Sequence, residues 1–161
     1  MRSGFYPRAA RVRRSAPVVL AMQILGLGTQ VMECTRVRQL IDEHADAFMR
    51  QVYTDREVLF CNGKKAVTEQ FTAVWAAKEA VFRALGTTWK RGMSWTDIEI
   101  VHDHGGPPHV LVSGPTRELM LARGVSHILL TMAHSRLFAT ATALALDTPV
   151  PRAGEDTALD D

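Results

Sequence analysis

Glu79 and Arg83 stand one helical turn apart in the run Trp75-Ala76-Ala77-Lys78-Glu79-Ala80-Val81-Phe82-Arg83-Ala84-Leu85-Gly86. A helix there places a carboxylate and a guanidinium side by side on one face. Gly86 supplies a helix stop, and Thr87 to Gly92 beyond it reads as a polar loop carrying Lys90 and Arg91. A carboxylate that can hold a hard cation, beside cations that can hold phosphate, is the donor set of a metal–phosphate site. The plainer reading of the same pair is an i,i+4 ion pair on a solvated helix face.

The pattern around this run defines the elements that must position it. Gln23 to Gly28 is a short apolar run closed by glycines and reads as a strand. Thr35 is placed to cap a helix carrying Val37, Leu40, Ile41 and Phe48 inward, and Thr54-x-x-Glu57 is a capping box that starts a second short helix near Asp55. After a Gly63-Lys64-Lys65 loop, Thr68 is placed to cap a long helix through Leu85, in which Phe71, Trp75, Phe82 and Leu85 recur at helical spacing. The period then becomes alternating. Ile98 and Ile100, a Gly105-Gly106-Pro107-Pro108 turn, then Val110 and Val112 form a hairpin, with His102, His104 and His109 as solvent-exposed hairpin residues rather than a metal cluster. Pro115 and Gly124 bracket a further helix, and His127–Met132 and Leu137–Leu146 are two more strands. Small residues in the second of these suit a tightly packed central position. Helices mixed with a largely antiparallel sheet make a single α+β domain.

Composition narrows the classes. The 161 residues fit one domain, and no apolar run approaches membrane-spanning length. Cys34 and Cys61 have neither metal-site spacing nor the density of a secreted disulfide scaffold, which points to a reducing cytoplasm. The net charge of +2 hides an uneven layout in which two oppositely charged ends nearly cancel. Residues 1–21 hold five arginines and no acid, whereas residues 147–161 hold five acids and one arginine. These ends read as a disordered Arg-rich extension and a disordered acidic tail, with the folded domain over residues 22–146. The formal charge gives no strong argument for nucleic acid; a binder anchored by residues 1–21 is a weaker alternative.

Five motifs in one order resemble the holo-acyl-carrier-protein synthase family of 4′-phosphopantetheinyl transferases. They are Gly26-Leu27-Gly28-Thr29-Gln30 followed by a basic helix, Ala76 to Gly86, Trp95 to Ile100, the Gly106-Pro107-Pro108 turn, and the late His134-Ser135 segment. The resemblance covers roughly residues 24–146 and implies the phosphopantetheinyl transferase fold. It implies Mg²⁺-dependent transfer of 4′-phosphopantetheine from coenzyme A to a serine of apo acyl carrier protein, with release of 3′,5′-ADP, in fatty acid biosynthesis. It also implies a cytoplasmic homotrimer with sites between neighbouring subunits. On the same ground Glu79 matches the metal-binding Glu, and Arg83 falls where the family has a phosphate-contacting Lys. Gly86 and Thr87 match the segment around the nucleotide phosphates, Gly106 and Pro108 match the turn, and His134 matches the late His near the coenzyme. Arg36, Arg38 and Arg50 would face the acidic carrier protein.

Three departures bear on chemistry. Gln30 stands where the family has its second metal carboxylate, an Asp; its amide oxygen still coordinates a hard cation but brings no formal charge. Glu33 is a candidate substitute. Arg83 in place of Lys keeps the charge and adds a planar fork, while removing a group able to shuttle a proton. Pro107 removes a cation before the turn proline. A relative that binds coenzyme A or carrier protein without efficient transfer is therefore the alternative reading.

Overall fold

The computed structural model describes residues 22–103 and 105–147. The expected Arg-rich extension, His104 and the tail beyond Asp147 lie outside the described residues. The elements run β1 (Gln23–Glu33), α1 (Cys34–Val52), α2 (Asp55–Asn62), α3 (Val67–Ala84), a 3-10 turn (Trp95–Asp97), β2 (Ile98–Val101), β3 (His109–Val112), α4 (Gly114–Ala122), β4 (His127–His134) and β5 (Phe138–Asp147). One antiparallel sheet has the order β1-β5-β4, and β2 and β3 form the expected hairpin as a second, two-stranded sheet. The α+β expectation holds, with β5 as the central strand.

Close packing of α3 on the large sheet organises the rest. The inward positions of β5 are Ala139, Ala141, Ala143 and Ala145, all buried, and α3, which packs on β5 and β1, buries its own Ala73, Ala77, Ala80 and Ala84. On β1 the inward positions include Gly26 and Gly28, where a Cβ would run into the backbone of Ala84 and Ala80 respectively. The glycines therefore do not end the strand, as their composition suggests. They sit mid-strand and let the helix backbone come down onto the sheet. β1 continues to Glu33, and Thr29 to Glu33 pair in register with Thr142 to Phe138.

Three cap assignments differ from the sequence reading or refine it. α1 begins at Cys34 with Glu33 as its N-cap and no side-chain cap bond, so Thr35 is not the cap. α3 begins at Val67 behind Ala66, and Thr68 lies inside its first turn, where its carbonyl accepts the Thr72 hydroxyl at 2.7 Å. The Thr54–Glu57 capping box is present with both reciprocal bonds. α1 is also broken at Ala45, whose φ of 37° is incompatible with a continuous helix. β5 extends through Asp147, the residue at which the acidic tail was expected to begin.

Candidate active site

The short distance between α3 and β1 sets the site. Glu79 and Arg83 project from α3 at the edge of β1, and the Gln30 amide nitrogen donates to Glu79 Oε2. The nearest guanidinium nitrogen of Arg83 lies 3.9 Å from the same oxygen, and another donates to the Thr29 carbonyl at 3.2 Å. Glu79 is half-buried, and that burial raises its carboxyl above the usual range against the opposing pull of Arg83 and Arg36. The i,i+4 pair is thus more than a solvated helix face, because the adjacent strand adds a polar partner to each member.

Two cavities open on Glu79. One, of about 300 Å³, is bounded by Gln30, Glu33, Arg36 and Trp75. The other, of about 310 Å³, is bounded by Phe82, Arg83, Thr88, Trp89 and Trp95. Arg36 and Trp75 also line a larger groove of about 500 Å³ along α1, with Leu40, His44 and Gln51. The Trp75 indole nitrogen is buried without a hydrogen-bond partner among the described residues.

Gly86 ends α3 at φ 67°, a left-handed position that favours glycine, and its N–H reaches the Arg83 carbonyl at 2.8 Å. The Thr87 N–H follows onto the Phe82 carbonyl at 3.0 Å, so the loop leaves directly beside Arg83. Gly106 and Pro108 lie in the turn between β2 and β3, and His134 is the exposed last residue of β4. Neither cavity that Glu79 lines includes these three residues. Within one chain, then, Gln30, Glu79 and Arg83 come together; Gly86 and Thr87 follow at the end of α3, and neither they nor the turn and His134 line either cavity.

The histidine reading needs one correction. His109 is exposed and lies 3.0 Å from Asp103. His102 is half-buried instead: its ring stacks on Phe60 with centroids 3.9 Å apart and planes 8° apart. Burial and the nearby Lys64 charge hold its pKa below the usual histidine value. Among the described residues no three His, Cys, Asp or Glu side chains group as a metal site.

Sequence reasoning missed the support beneath Glu79. Lys78 is fully buried and its ammonium meets Glu57 Oε2 at 2.7 Å, the Val52 carbonyl at 2.7 Å and the Trp95 carbonyl at 3.2 Å. Glu57 in turn accepts the backbone N–H groups of Thr54 at 2.9 Å and Ile100 at 2.8 Å. Burial pushes the Glu57 carboxyl up and the Lys78 ammonium down, and their pairing opposes both shifts. A signal was present: Lys78 follows Val74 by four and precedes Val81 by three, on the buried stripe of the helix.

The oxygen donors of Glu79 and Gln30 fit Mg²⁺, which commonly takes one or two carboxylates and completes its shell with water and substrate phosphate. With its nitrogen on Glu79, the Gln30 amide keeps its oxygen available for such an ion. Arg36 and Arg83 beside it suit phosphate.

A profile of the 4′-phosphopantetheinyl transferase superfamily matches residues 26–143. A holo-acyl-carrier-protein synthase of Geotalea daltonii is 36% identical over 118 residues, spanning 73% of this chain and 94% of the relative. Among solved structures, the synthase of Neisseria meningitidis superposes with a TM-score of 0.69 at 26% identity, over 76% of this chain and 98% of that one. The Bacillus anthracis synthase, solved in complex with coenzyme A (3′,5′-ADP), superposes with a TM-score of 0.64 at 29% identity, over 80% of this chain and all 100% of that one. With the ordered motifs, the fold and these likenesses in agreement, the chain belongs to the 4′-phosphopantetheinyl transferase superfamily.

Proposed function

We propose that this protein is a holo-acyl-carrier-protein synthase: it transfers 4′-phosphopantetheine from coenzyme A to a serine of apo acyl carrier protein and releases 3′,5′-ADP. The observation that carries the reading is the grouping of Glu79, Gln30 and Arg83 where α3 meets β1, in a chain of this family. Activity resides in residues 22–146.

Mg²⁺ held by Glu79 and the Gln30 amide oxygen would supply charge neutralisation on the pyrophosphate oxygens. The chain's own groups do the rest. Glu79, with its carboxyl raised by burial, takes the proton from the carrier serine hydroxyl as that oxygen attacks the β-phosphate. Arg83 faces the charge that builds on the departing phosphate, and its fork, braced on the Thr29 carbonyl, needs little reorganisation to do so. Gly86 and Thr87 bring the loop backbone to the nucleotide side.

Carrier protein docks along α1. Arg36 and Arg38 are exposed there, and Arg36 lines both the α1 groove and a Glu79 cavity, which gives an acidic helix a continuous path to the site. The assembly is a homotrimer. The face of the large sheet turned away from α3 exposes Leu27, Val31, Leu129 and Phe138, a patch that a second copy would cover. Gly106, Pro108 and His134 then complete the coenzyme site from a neighbouring subunit. Among the described residues no helix is long and apolar enough to cross a membrane. The enzyme works in the cytoplasm, in fatty acid biosynthesis.

The test is intact-mass spectrometry of apo acyl carrier protein incubated with coenzyme A, Mg²⁺ and the protein. A gain of one phosphopantetheine, lost with EDTA and lost in a folded Glu79→Ala variant, is expected. Coenzyme A binding without any mass gain would replace this reading with a binding module, for which the uncharged Gln30 is the favouring feature.

A further inference from the structure

The buried Lys78 ammonium donates to two backbone carbonyls, those of Val52 at 2.7 Å and Trp95 at 3.2 Å. Both acceptors belong to residues that line the groove of about 500 Å³ along α1. Val52 is the last residue of α1 and Trp95 the first of the 3-10 turn, so the lysine ties two separate elements of the groove's lining together from inside the core. Trp95 also lines one of the two cavities on Glu79, the residue that follows Lys78 in α3. One side chain therefore fixes the lining of the α1 groove against the helical turn that carries Glu79.

Stability alone is a weak reason for a charge in that place. Desolvation offsets most of the attraction within a buried ion pair, and apolar side chains of similar volume fill such sites as well. A methionine would fill the volume of Lys78 and leave both carbonyls without a donor. The ammonium is also held from its other side. Glu57 Oε2 meets it at 2.7 Å, and the Glu57 carboxylate is in turn fixed by the N–H groups of Thr54 at 2.9 Å and Ile100 at 2.8 Å. We infer that Lys78, held by Glu57, is a positioning residue for the acceptor substrate: it sets α1 and Trp95 relative to Glu79, and so sets where a carrier protein lying along α1 presents its serine. This rests on the transferase reading above and on the docking along α1 given there.

The test compares full-length variants that share one background, assayed below the melting temperature of each. In Glu57→Gln the lysine sheds its charge, and its two remaining N–H bonds still reach both carbonyls. In Glu57→Gln with Lys78→Met the core stays neutral and the carbonyls lose their donor. The double variant lowers kcat/KM for apo acyl carrier protein by about tenfold to a hundredfold relative to Glu57→Gln, the scale of a small misplacement remote from the chemistry. Coenzyme A binding, measured by isothermal titration, stays within about twofold, since that ligand does not use the α1 groove. Lys78→Gln in the same background keeps two N–H donors one bond short of the ammonium position and gives an intermediate loss. A double variant that matches Glu57→Gln on carrier protein overturns this inference alone, as does an equal weakening of coenzyme A binding, which would mark general loosening. Failure of both Lys78 variants to fold would make the lysine a requirement of the fold rather than of the approach, and would overturn it too. Natural protein that transfers nothing overturns the transferase reading and this inference with it.

Discussion

Lys78 and Glu79 are consecutive in the chain, yet the first is sealed in the core against Glu57 and the second opens on two cavities. The buried ion pair spends all three ammonium donors on Glu57, Val52 and Trp95, and thereby ties α2, the end of α1 and the 3-10 turn to α3 directly beneath the site. Removing one partner leaves an uncompensated buried charge, so Lys78→Met and Glu57→Gln should each cost roughly 3–5 kcal/mol. Urea denaturation measures this, and the double variant should cost less than the sum of the singles. Single losses below about 1 kcal/mol would mean that the pair is not sealed as described.

The second prediction concerns the approach of α3 to β1. Gly28→Ala places a methyl group against the Ala80 carbonyl and the Arg83 side chain, where only backbone or main-chain-proximal atoms are present to yield. Helix and strand must separate, at about 1–3 kcal/mol. The same separation pulls Glu79 away from Gln30, so transfer should fall together with thermal stability. An unchanged melting temperature would contradict the contact.

That contact also explains what could be read from the chain beforehand. Element types, the hairpin, the Thr54–Glu57 cap, the Gly86 stop and the central position of β5 follow from local pattern, and all appear in the structure. Gly26 and Gly28 misled about the length of β1 because their reason is tertiary: a helix backbone that local composition does not reveal. Thr35 and Thr68 are good capping residues set two positions too late, since strand pairing through Glu33 and the Ala66 junction fix the helix starts. At the site, Glu79 and Arg83 were legible from spacing, and Gln30 only through the resemblance. Trp89 and Trp95 were not, because it is the fold of the loop between them that stacks one ring on the other.

A third prediction uses Cys61. It is fully buried, and burial, chiefly, pushes its thiol up to about 12. The folded chain therefore keeps a proton that the unfolded chain, with a thiol near pH 8.5, releases. Stability from this group is complete below the unfolded value and declines as pH rises from there towards about 12. In the native protein at pH 8, Cys61 should resist iodoacetamide until denaturant is added. Rapid native labelling, mapped by peptide mass, would refute the burial.

Arg83 yields a fourth. Its charge is placed for the departing phosphate, so Arg83→Ala should lower kcat by roughly 10²–10³ with little change in fold. Arg83→Lys keeps the charge but loses the brace on the Thr29 carbonyl, and should retain most of the rate. Steady-state kinetics on coenzyme A decides; equal losses in both variants would point to geometry rather than charge as the contribution.

Gln30 yields the fifth. In the natural chain its amide donates to Glu79 and stabilises that carboxylate with no cation present. Gln30→Asp removes the donor and sets two carboxylates facing one another, which raises their pKa values and weakens the metal-free fold near neutral pH. A divalent ion reverses the sign by binding both charges. Melting temperature measured against Mg²⁺ concentration should therefore show a lower starting point and a steeper rise for Gln30→Asp than for the natural chain, since an ion that binds only the folded state stabilises it in proportion to its affinity. Turnover separates two cases: comparable rates at saturating Mg²⁺ mean that the amide oxygen serves the ion adequately, and a large gain from near zero marks the natural chain as impaired. Identical Mg²⁺ responses in the two proteins would place the ion away from Gln30 and leave that residue with the single task of holding Glu79.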